Sequence, residues 1–261
     1  MDAAAHQPRG PNAPRTRLAV PPRKKAIREA VHPFDAAHGV ETSGLIPADA
    51  LKTGHPHDEE VTAYYGVAPS ILRSLIDRWL QSGPSHSIEK VTFIDIGAGK
   101  GRGLLIASEY PFLQVLGIEL NPTLAALAQK NMQHWTATQE YLSPVTLIEQ
   151  DAIEFYFPAG TCLLFLFHPF ECLVMRKLMR RIETQFAKRP GTVDLIYVNS
   201  ECRALFDGHP AFTRLFFGPV AMSPEDHVAD LAAIAQQEQY GSTGDEECAI
   251  YRYTGRAKPV D

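Results

Sequence analysis

The chain has 261 residues, 45% of them hydrophobic and 21% charged, with a formal net charge of −5. This length allows one large domain or two small ones, and the composition is ordinary for a protein with a packed core. No apolar run is long enough to span a bilayer and the N-terminus lacks the apolar stretch of a secretory signal, so we expect a cytoplasmic protein. The four cysteines show no C-x-x-C spacing, which predicts reduced thiols rather than a disulfide framework or a zinc ribbon.

The charge is unevenly distributed along the chain. Residues 1–30 carry seven basic residues against two acidic ones, which gives +5 there and leaves −10 on the remainder. Prolines and few large apolar side chains accompany these charges, so this leader is predicted to be disordered. A solvated tail, an arm that binds nucleic acid or an acidic partner, and an Arg-rich targeting peptide all fit such a segment. Residues 31–85 form a predicted N-terminal extension, which is irregular at first and contains a helix over residues 70–80 that Ser70 would cap.

Residues 86–261 are predicted to form the main domain, because short apolar runs alternate there with amphipathic segments. Several of the runs are apolar on both faces, as expected for a mostly parallel sheet covered by helices on both sides. We therefore predict an α/β, Rossmann-like, doubly wound fold. The predicted strands are residues 91–96, 113–120, 145–150, 162–167, 194–199, 212–217 and 248–253. The predicted helices are residues 101–109, 122–135, 172–187, 201–206 and 224–236.

The segment VTFIDIGAGKGRG carries the strongest functional signal. An apolar strand runs into Asp95, and three alternating glycines then lead into a helix. Glycines allow a tight turn and a close approach to a nucleotide-like ligand at the carboxyl end of a strand. Glu119, at the end of the next predicted strand, is placed to accept hydrogen bonds from a ribose diol. A nicotinamide fingerprint would have glycine where this chain has Arg102, which disfavours an oxidoreductase.

This D-x-G-x-G-x-G pattern resembles the first motif of class I S-adenosylmethionine-dependent methyltransferases. Three further segments, VLGIELNP, LIEQDAIEF and LFLFHPF, follow in the order that this family shows, so that the resemblance covers about residues 61–255. The motif DIGAGKGR followed by GIELNP is similar to the corresponding segments of the seven-strand, non-SET protein lysine methyltransferases and of related bacterial methyltransferases. The resemblance implies a seven-stranded sheet with six parallel strands and a reversed last one, and S-adenosylmethionine as the cofactor.

The resemblance also assigns cofactor contacts to particular residues. Asp151 and Ala152 would hold the adenine, and Tyr65 and Ser70 would lie near the methionine end. A tyrosine pair packed beneath a helix is the alternative interpretation of Tyr65 and its neighbour. Lys100 or Arg102 would face the cofactor carboxylate or solvent. The complete set of implied cofactor residues is Tyr65, Ser70, Asp95, Gly97, Ala98, Gly99, Gly101, Glu119, Leu120, Asp151 and Ala152.

Candidate residues for methyl transfer follow the fourth predicted strand. Amino-methylating relatives carry Asn/Asp-Pro-Pro-Tyr/Phe there, whereas this chain has His-Pro-Phe-Glu. We predict that His168 grips or deprotonates the acceptor, that Phe170 forms one wall of its pocket and that Asn199 contacts it. The alternative for His168 is a strand end that bonds to the backbone. The predicted acceptor is a nitrogen of a protein side chain or small molecule, while oxygen and carbon acceptors stay open.

Two other classes of function remain open, a nicotinamide-dependent oxidoreductase and a non-catalytic S-adenosylmethionine-binding protein. No metal is predicted, because His55 and His57 with the acidic residues beside them do not complete a set of ligands. These residues, together with Asp35, His38 and Glu41, are expected to line or cover the substrate entrance. The acidic body favours a cationic acceptor, such as a protein that bears lysine, and argues against nucleic-acid binding by the body itself.

Overall fold

The computed structural model describes residues 30–235 and 242–255. The predictions of a disordered or nucleic-acid-binding leader fall almost entirely on residues 1–29, which lie outside the described residues. None of the described helices combines the length and the apolar composition that crossing a bilayer requires.

Seven strands form one sheet in the order β3-β2-β1-β4-β5-β7-β6. They are β1 Val91–Ile96, β2 Gln114–Glu119, β3 Val145–Glu149, β4 Thr161–Phe167, β5 Val193–Val198, β6 Phe212–Ala221 and β7 Asp245–Tyr253. β7 runs antiparallel to both β5 and β6, whereas the other four pairings are parallel. The implied sheet of six parallel strands and a reversed last one is confirmed. β6 and β7 are longer than predicted because they pair with each other through Gly218 and the acidic start of β7, which show no local strand pattern.

The described residues also form seven α-helices. They are α1 Pro33–His38, α2 Pro69–Gln81, α3 Arg102–Ser108, α4 Pro122–Thr138, α5 Cys172–Phe186, α6 Arg203–Asp207 and α7 Pro224–Ile234. The prediction that Ser70 caps α2 is wrong, because Ala68 occupies the cap position and Pro69 begins the helix. α1 escaped prediction because six residues are too few to show a helical period.

Apolar side chains form a core on each face of the sheet. One core joins α2, α3 and part of α4 to the sheet, and it also takes in Phe34 and Val40 of the extension. The other core lies beneath α5 and α6. Every residue of β1 is buried, as expected for a central strand covered on both sides. The doubly wound α/β fold is therefore confirmed, and the carboxyl ends of its parallel strands meet along one edge of the sheet.

Two of the cysteines correct the prediction of free thiols. Cys172, which begins α5, forms a disulfide with Cys202, which directly precedes α6, and their Cα atoms are 5.5 Å apart. They meet because each follows one of two adjacent parallel strands, β4 and β5, a relation that spacing along the chain does not reveal. Cys162 and Cys248 are free and buried.

Candidate functional site

A cleft opens at the carboxyl ends of the parallel strands, with an empty volume of about 1070 Å³ that includes the open solvent at its mouth. The N-terminal extension forms its opposite wall with residues between Leu51 and Val67. Most of the predicted cofactor residues line this cleft. They are Tyr65, Asp95, Gly97, Ala98, Gly99, Glu119, Leu120, Asp151 and Ala152.

The glycine-rich loop after β1 forms the floor of the cleft. Gly97, Gly99 and Gly101 all have positive φ angles, of 78°, 56° and 90°. A Cβ atom on Gly97 would collide with Pro169, and one on Gly99 would collide with the ring of Tyr64. The glycines are therefore needed for the left-handed turn and for the close approach of these two side chains, which flank the cleft.

Glu119 is held rigidly at the end of β2. Its Oε2 accepts a hydrogen bond from the N–H of Gly99 at 2.7 Å, and its Oε1 accepts one from the N–H of Asn121 at 2.8 Å. Burial raises the pKa of Glu119, although the N–H groups of Asn121 and Gly99 oppose that shift. A carboxylate offers about four lone-pair sites, so the side chain can still accept hydrogen bonds from a diol in the cleft.

Asp95 presents a carboxyl group to the same space. Its side chain accepts no hydrogen bond from the described residues, and Gly103 of α3 leaves the room that it occupies. Burial, and then the nearby carboxylate of Glu119, raise the pKa of Asp95 to about 8. A buried carboxyl in this position favours a cationic ligand group, which would stabilise the ionised form.

Asp151 lies farther along the cleft, after β3. Its Oδ1 accepts a hydrogen bond from the N–H of Ile153 at 3.0 Å, and its Oδ2 lies 2.9 Å from Nδ1 of His57 in the extension. His55 Nε2 lies 3.7 Å from that same Oδ2. The two histidines and Asp151 thus offer three ligand atoms within 4.8 Å of one another. Sequence reasoning missed this grouping because its third member is about a hundred residues away.

The loop after β4 forms the end wall of the cleft. Phe170 lines the cleft and pairs with Val61 of the extension through a β-bridge. Thr62 Oγ1 donates a hydrogen bond to the carbonyl oxygen of His168 at 2.5 Å. Of the three predicted catalytic residues, Phe170 therefore lines the cleft, and its role as a wall of an acceptor pocket stays a prediction.

The imidazole of His168 lies outside this wall. Its Nδ1 is 2.9 Å from the hydroxyl of Tyr197, and its Nε2 is 3.5 Å from Oε2 of Glu201. Asn199 also contacts Glu201, through Nδ2 at 3.2 Å. His168 and Asn199 both adopt positive φ angles, of 37° and 49°, so the two loops turn sharply where β4 and β5 end. These two predicted catalytic residues are brought together, but neither lines the cleft.

Two predicted cofactor residues also lie outside the cleft lining. Gly101 is the N-cap residue of α3. Ser70 faces α7, since its N–H donates to Asp226 at 2.7 Å and its Oγ accepts from the N–H of Ser223 at 2.9 Å. Tyr65 spans both regions, because it lines the cleft while its hydroxyl donates to Asp230 of α7. Burial and this hydrogen bond raise the pKa of Tyr65.

A buried ion pair attaches the extension to the glycine-rich loop. Arg102 donates through Nε to Oγ1 of Thr42 at 2.7 Å, and its Nη2 lies 3.6 Å from Oδ1 of Asp35. Lys100 Nζ donates to the carbonyl oxygen of Ser43 at 2.6 Å. Both cationic residues are buried, so the solvent-facing alternative is wrong for each. The expectation that Asp35 lies at the substrate entrance is also wrong, because its carboxylate is buried within the extension, against Arg102.

No protein-family model and no curated protein matches the chain. Solved structures that are similar to it include methyltransferases from three organisms. Magnesium protoporphyrin IX methyltransferase from Synechocystis, with bound SAM, is 13% identical with a TM-score of 0.48, and the match covers 71% of this chain and 79% of that one. An RNA methyltransferase from Salinibacter ruber, in complex with S-adenosyl-L-homocysteine, is 19% identical with a TM-score of 0.43, and the match covers 72% of this chain and 95% of that one. The N-methyltransferase NodS from Bradyrhizobium japonicum is 15% identical with a TM-score of 0.44, and the match covers 70% of this chain and 93% of that one.

Proposed function

We propose that the protein is an S-adenosylmethionine-dependent methyltransferase. The observation that carries the proposal is the Glu119 carboxylate, which the N–H groups of Gly99 and Asn121 fix at the edge of a glycine-rich turn. A ribose diol bound there would place an adenine toward Asp151 and the rest of the ligand toward Asp95. The carboxyl groups of Asp95, Glu119 and Asp151 along the cleft suit the ammonium and sulfonium of this cofactor better than the diphosphate of a nicotinamide dinucleotide.

The bound cofactor would supply an electrophilic methyl group for in-line displacement. The protein's part is to hold the nucleophile in line with that methyl group and to exclude water. Phe170 and the neighbouring Val61 close the end of the cleft with apolar surface. The aromatic ring suits a positively charged amine. We therefore propose a nitrogen acceptor on a protein side chain or small molecule, and the acidic composition of the body supports a cationic one.

His168 can take a proton from the acceptor only if one of its ring nitrogens first loses its present neighbour. Its Nε2 faces Glu201, whose side chain is 62% exposed, so that a rotation of that side chain toward solvent would uncover the imidazole. Its Nδ1 stays beside Tyr197. We expect His168→Ala and His168→Asn to lower turnover while cofactor affinity is preserved. Unchanged turnover in both variants would show that His168 serves only the turn after β4.

Methyl transfer is tested directly by incubating the protein with S-adenosylmethionine and candidate acceptors. Protein extracts and small amines serve as acceptors, and mass spectrometry detects the gain of one methyl group. Glu119→Ala should abolish the transfer, whereas Glu149→Ala should leave it intact. Glu149 is the matched control because it pairs with Glu119 in the sheet but is exposed to solvent.

A non-catalytic binding protein is the second candidate, and the engaged imidazole of His168 favours it. Such a protein would bind S-adenosylhomocysteine through Glu119 but would methylate no acceptor. Binding without transfer to any protein or amine in the extracts supports this second candidate over the first.

We retain the cytoplasm as the proposed location. Disulfides are rare in reducing compartments, so the Cys172–Cys202 bond would there be one that forms and breaks in the cell. Differential alkylation of these two cysteines after rapid acid quenching measures their oxidised fraction. A pair that stays fully oxidised under reducing growth conditions contradicts the cytoplasmic location.

A further inference from the structure

The cluster of His57, Asp151 and Lys177 joins the extension, the third strand and α5 at one end of the cleft. His57 Nδ1 lies 2.9 Å from Oδ2 of Asp151, and Lys177 Nζ lies 2.7 Å from Nε2 of His57. His57 lines the cleft together with Thr53 and Asp58. The imidazole therefore bridges a carboxylate in the cleft and an ammonium outside it.

Lys177 determines which imidazole nitrogen carries the hydrogen. An ammonium group has three donors and no acceptor, so Nε2 of His57 must accept from it. In the neutral ring the hydrogen then resides on Nδ1, where it points at Asp151. The two contacts are thus consistent with one tautomer, and each supports the other.

The ammonium of Lys177 also disfavours a metal ion between His55, His57 and Asp151. A metal bound to Nδ1 of His57 would place the ring hydrogen on Nε2. That hydrogen would then face the ammonium of Lys177, with two donors 2.7 Å apart. The grouping is therefore better explained as a chain of hydrogen bonds that runs from Lys177 through His57 to Asp151.

The carboxylate of Asp58 stabilises the turn that carries His57. Asp58 accepts hydrogen bonds from the N–H groups of Thr53, Gly54 and His55 at 2.7, 2.6 and 3.0 Å. This turn places the imidazole of His57 in the lining of the cleft. The position of His57 is consequently set by the turn and by Lys177, before any ligand binds.

We propose that His57 is a positioning residue that orients the Asp151 carboxylate for the exocyclic amino group of adenine. The proposal rests on the proposed function. Oδ1 of Asp151 is held by the N–H of Ile153 and Oδ2 by His57, so the plane of the carboxylate is fixed and one lone pair on each oxygen faces the ligand. Lys177 acts through His57 and does not touch the ligand.

Calorimetric titration of the full-length protein tests this role with two ligands. One is S-adenosylhomocysteine, and the other is its 6-oxo analogue, S-inosylhomocysteine, which lacks the amino donor. We expect the wild type to prefer the amino ligand. His57→Phe should weaken binding of that ligand by about tenfold and reduce the preference, because the orienting hydrogen bond is lost. Lys177→Met should act in the same direction by a smaller factor.

Lys130→Met is the matched control, since this exposed lysine of α4 pairs only loosely with Glu41 at 3.9 Å. It should leave both affinities unchanged. Variants at His57 and Lys177 that keep the wild-type preference, even with weaker binding overall, would overturn the positioning role. Stoichiometric binding of zinc chloride in competition with S-adenosylhomocysteine would overturn it as well. A wild type that binds neither nucleoside ligand would instead refute the proposed function.

Discussion

Asp95 is the residue whose protonation should report on the ligand. Burial and the neighbouring Glu119 raise its pKa to about 8, so the ligand-free protein holds a proton there at neutral pH. A cationic ligand group favours the ionised form, and binding should then release that proton. The affinity for S-adenosylhomocysteine should rise from about pH 6 to about pH 8, by at most about tenfold per unit.

The protons released are counted by calorimetry in buffers with different ionisation enthalpies. Asp95→Asn cannot ionise, so it should bind more weakly and show a flatter pH profile. Binding by the wild type at pH 7 without proton release would mean that Asp95 does not face the ligand's cationic group.

At the scale of elements, the extension depends on a buried ion pair. The side chain of Asp35 is 1% exposed and that of Arg102 is 4% exposed. Asp35→Ala would leave the guanidinium buried without its counter-ion, and we expect the free energy of unfolding to fall by roughly 3–5 kcal/mol. Urea denaturation measures this loss.

Asp49→Ala provides the comparison. Asp49 pairs with Lys52 at 3.3 Å, but its side chain is 93% exposed, so its removal should cost less than about 1 kcal/mol. Equal effects of the two substitutions would mean that the buried pair does not anchor the extension.

The disulfide joins the loops that follow two adjacent strands. Cys172 and Cys202 are 30 residues apart, and closing such a loop should stabilise the fold by roughly 3–4 kcal/mol. We expect the double variant Cys172→Ser, Cys202→Ser to lose that much free energy of unfolding and to unfold at a lower urea concentration. A reductant should bring the wild type to the same midpoint and leave the variant unchanged. An unchanged wild type would show that the bond is not formed.

The parts of the site differ in how well they can be predicted from the sequence. β1, the glycine-rich turn and Glu119 could be predicted because strand, turn and acid follow one another in a short, patterned stretch. The contacts of Arg102 with Asp35 and of His57 with Lys177 could not, since each partner lies far away in the sequence and carries no local pattern. The orientation of His168 escaped prediction for a related reason, because it depends on the left-handed turn at that residue and on Tyr197 in the next strand.

At the scale of the whole molecule, the extension and the α/β domain build the cleft together. Phe34 and Val40 of the extension belong to the same buried core as α2 and α3. Tyr64 packs against Gly99, and Val61 bridges to Phe170. The cleft therefore has walls from both parts of the chain, and an intact extension should be needed for tight ligand binding.

The cleft is proposed to bind the adenosine and methionine moieties of S-adenosylmethionine. Thermal unfolding of the full-length protein with S-adenosylhomocysteine or with NADH tests it most directly. A ligand at about 100 times its dissociation constant stabilises a protein by roughly 2.7 kcal/mol. We predict that S-adenosylhomocysteine raises the midpoint of unfolding, that Glu119→Ala removes the shift and that NADH has no effect. A shift with NADH and none with S-adenosylhomocysteine would contradict the account.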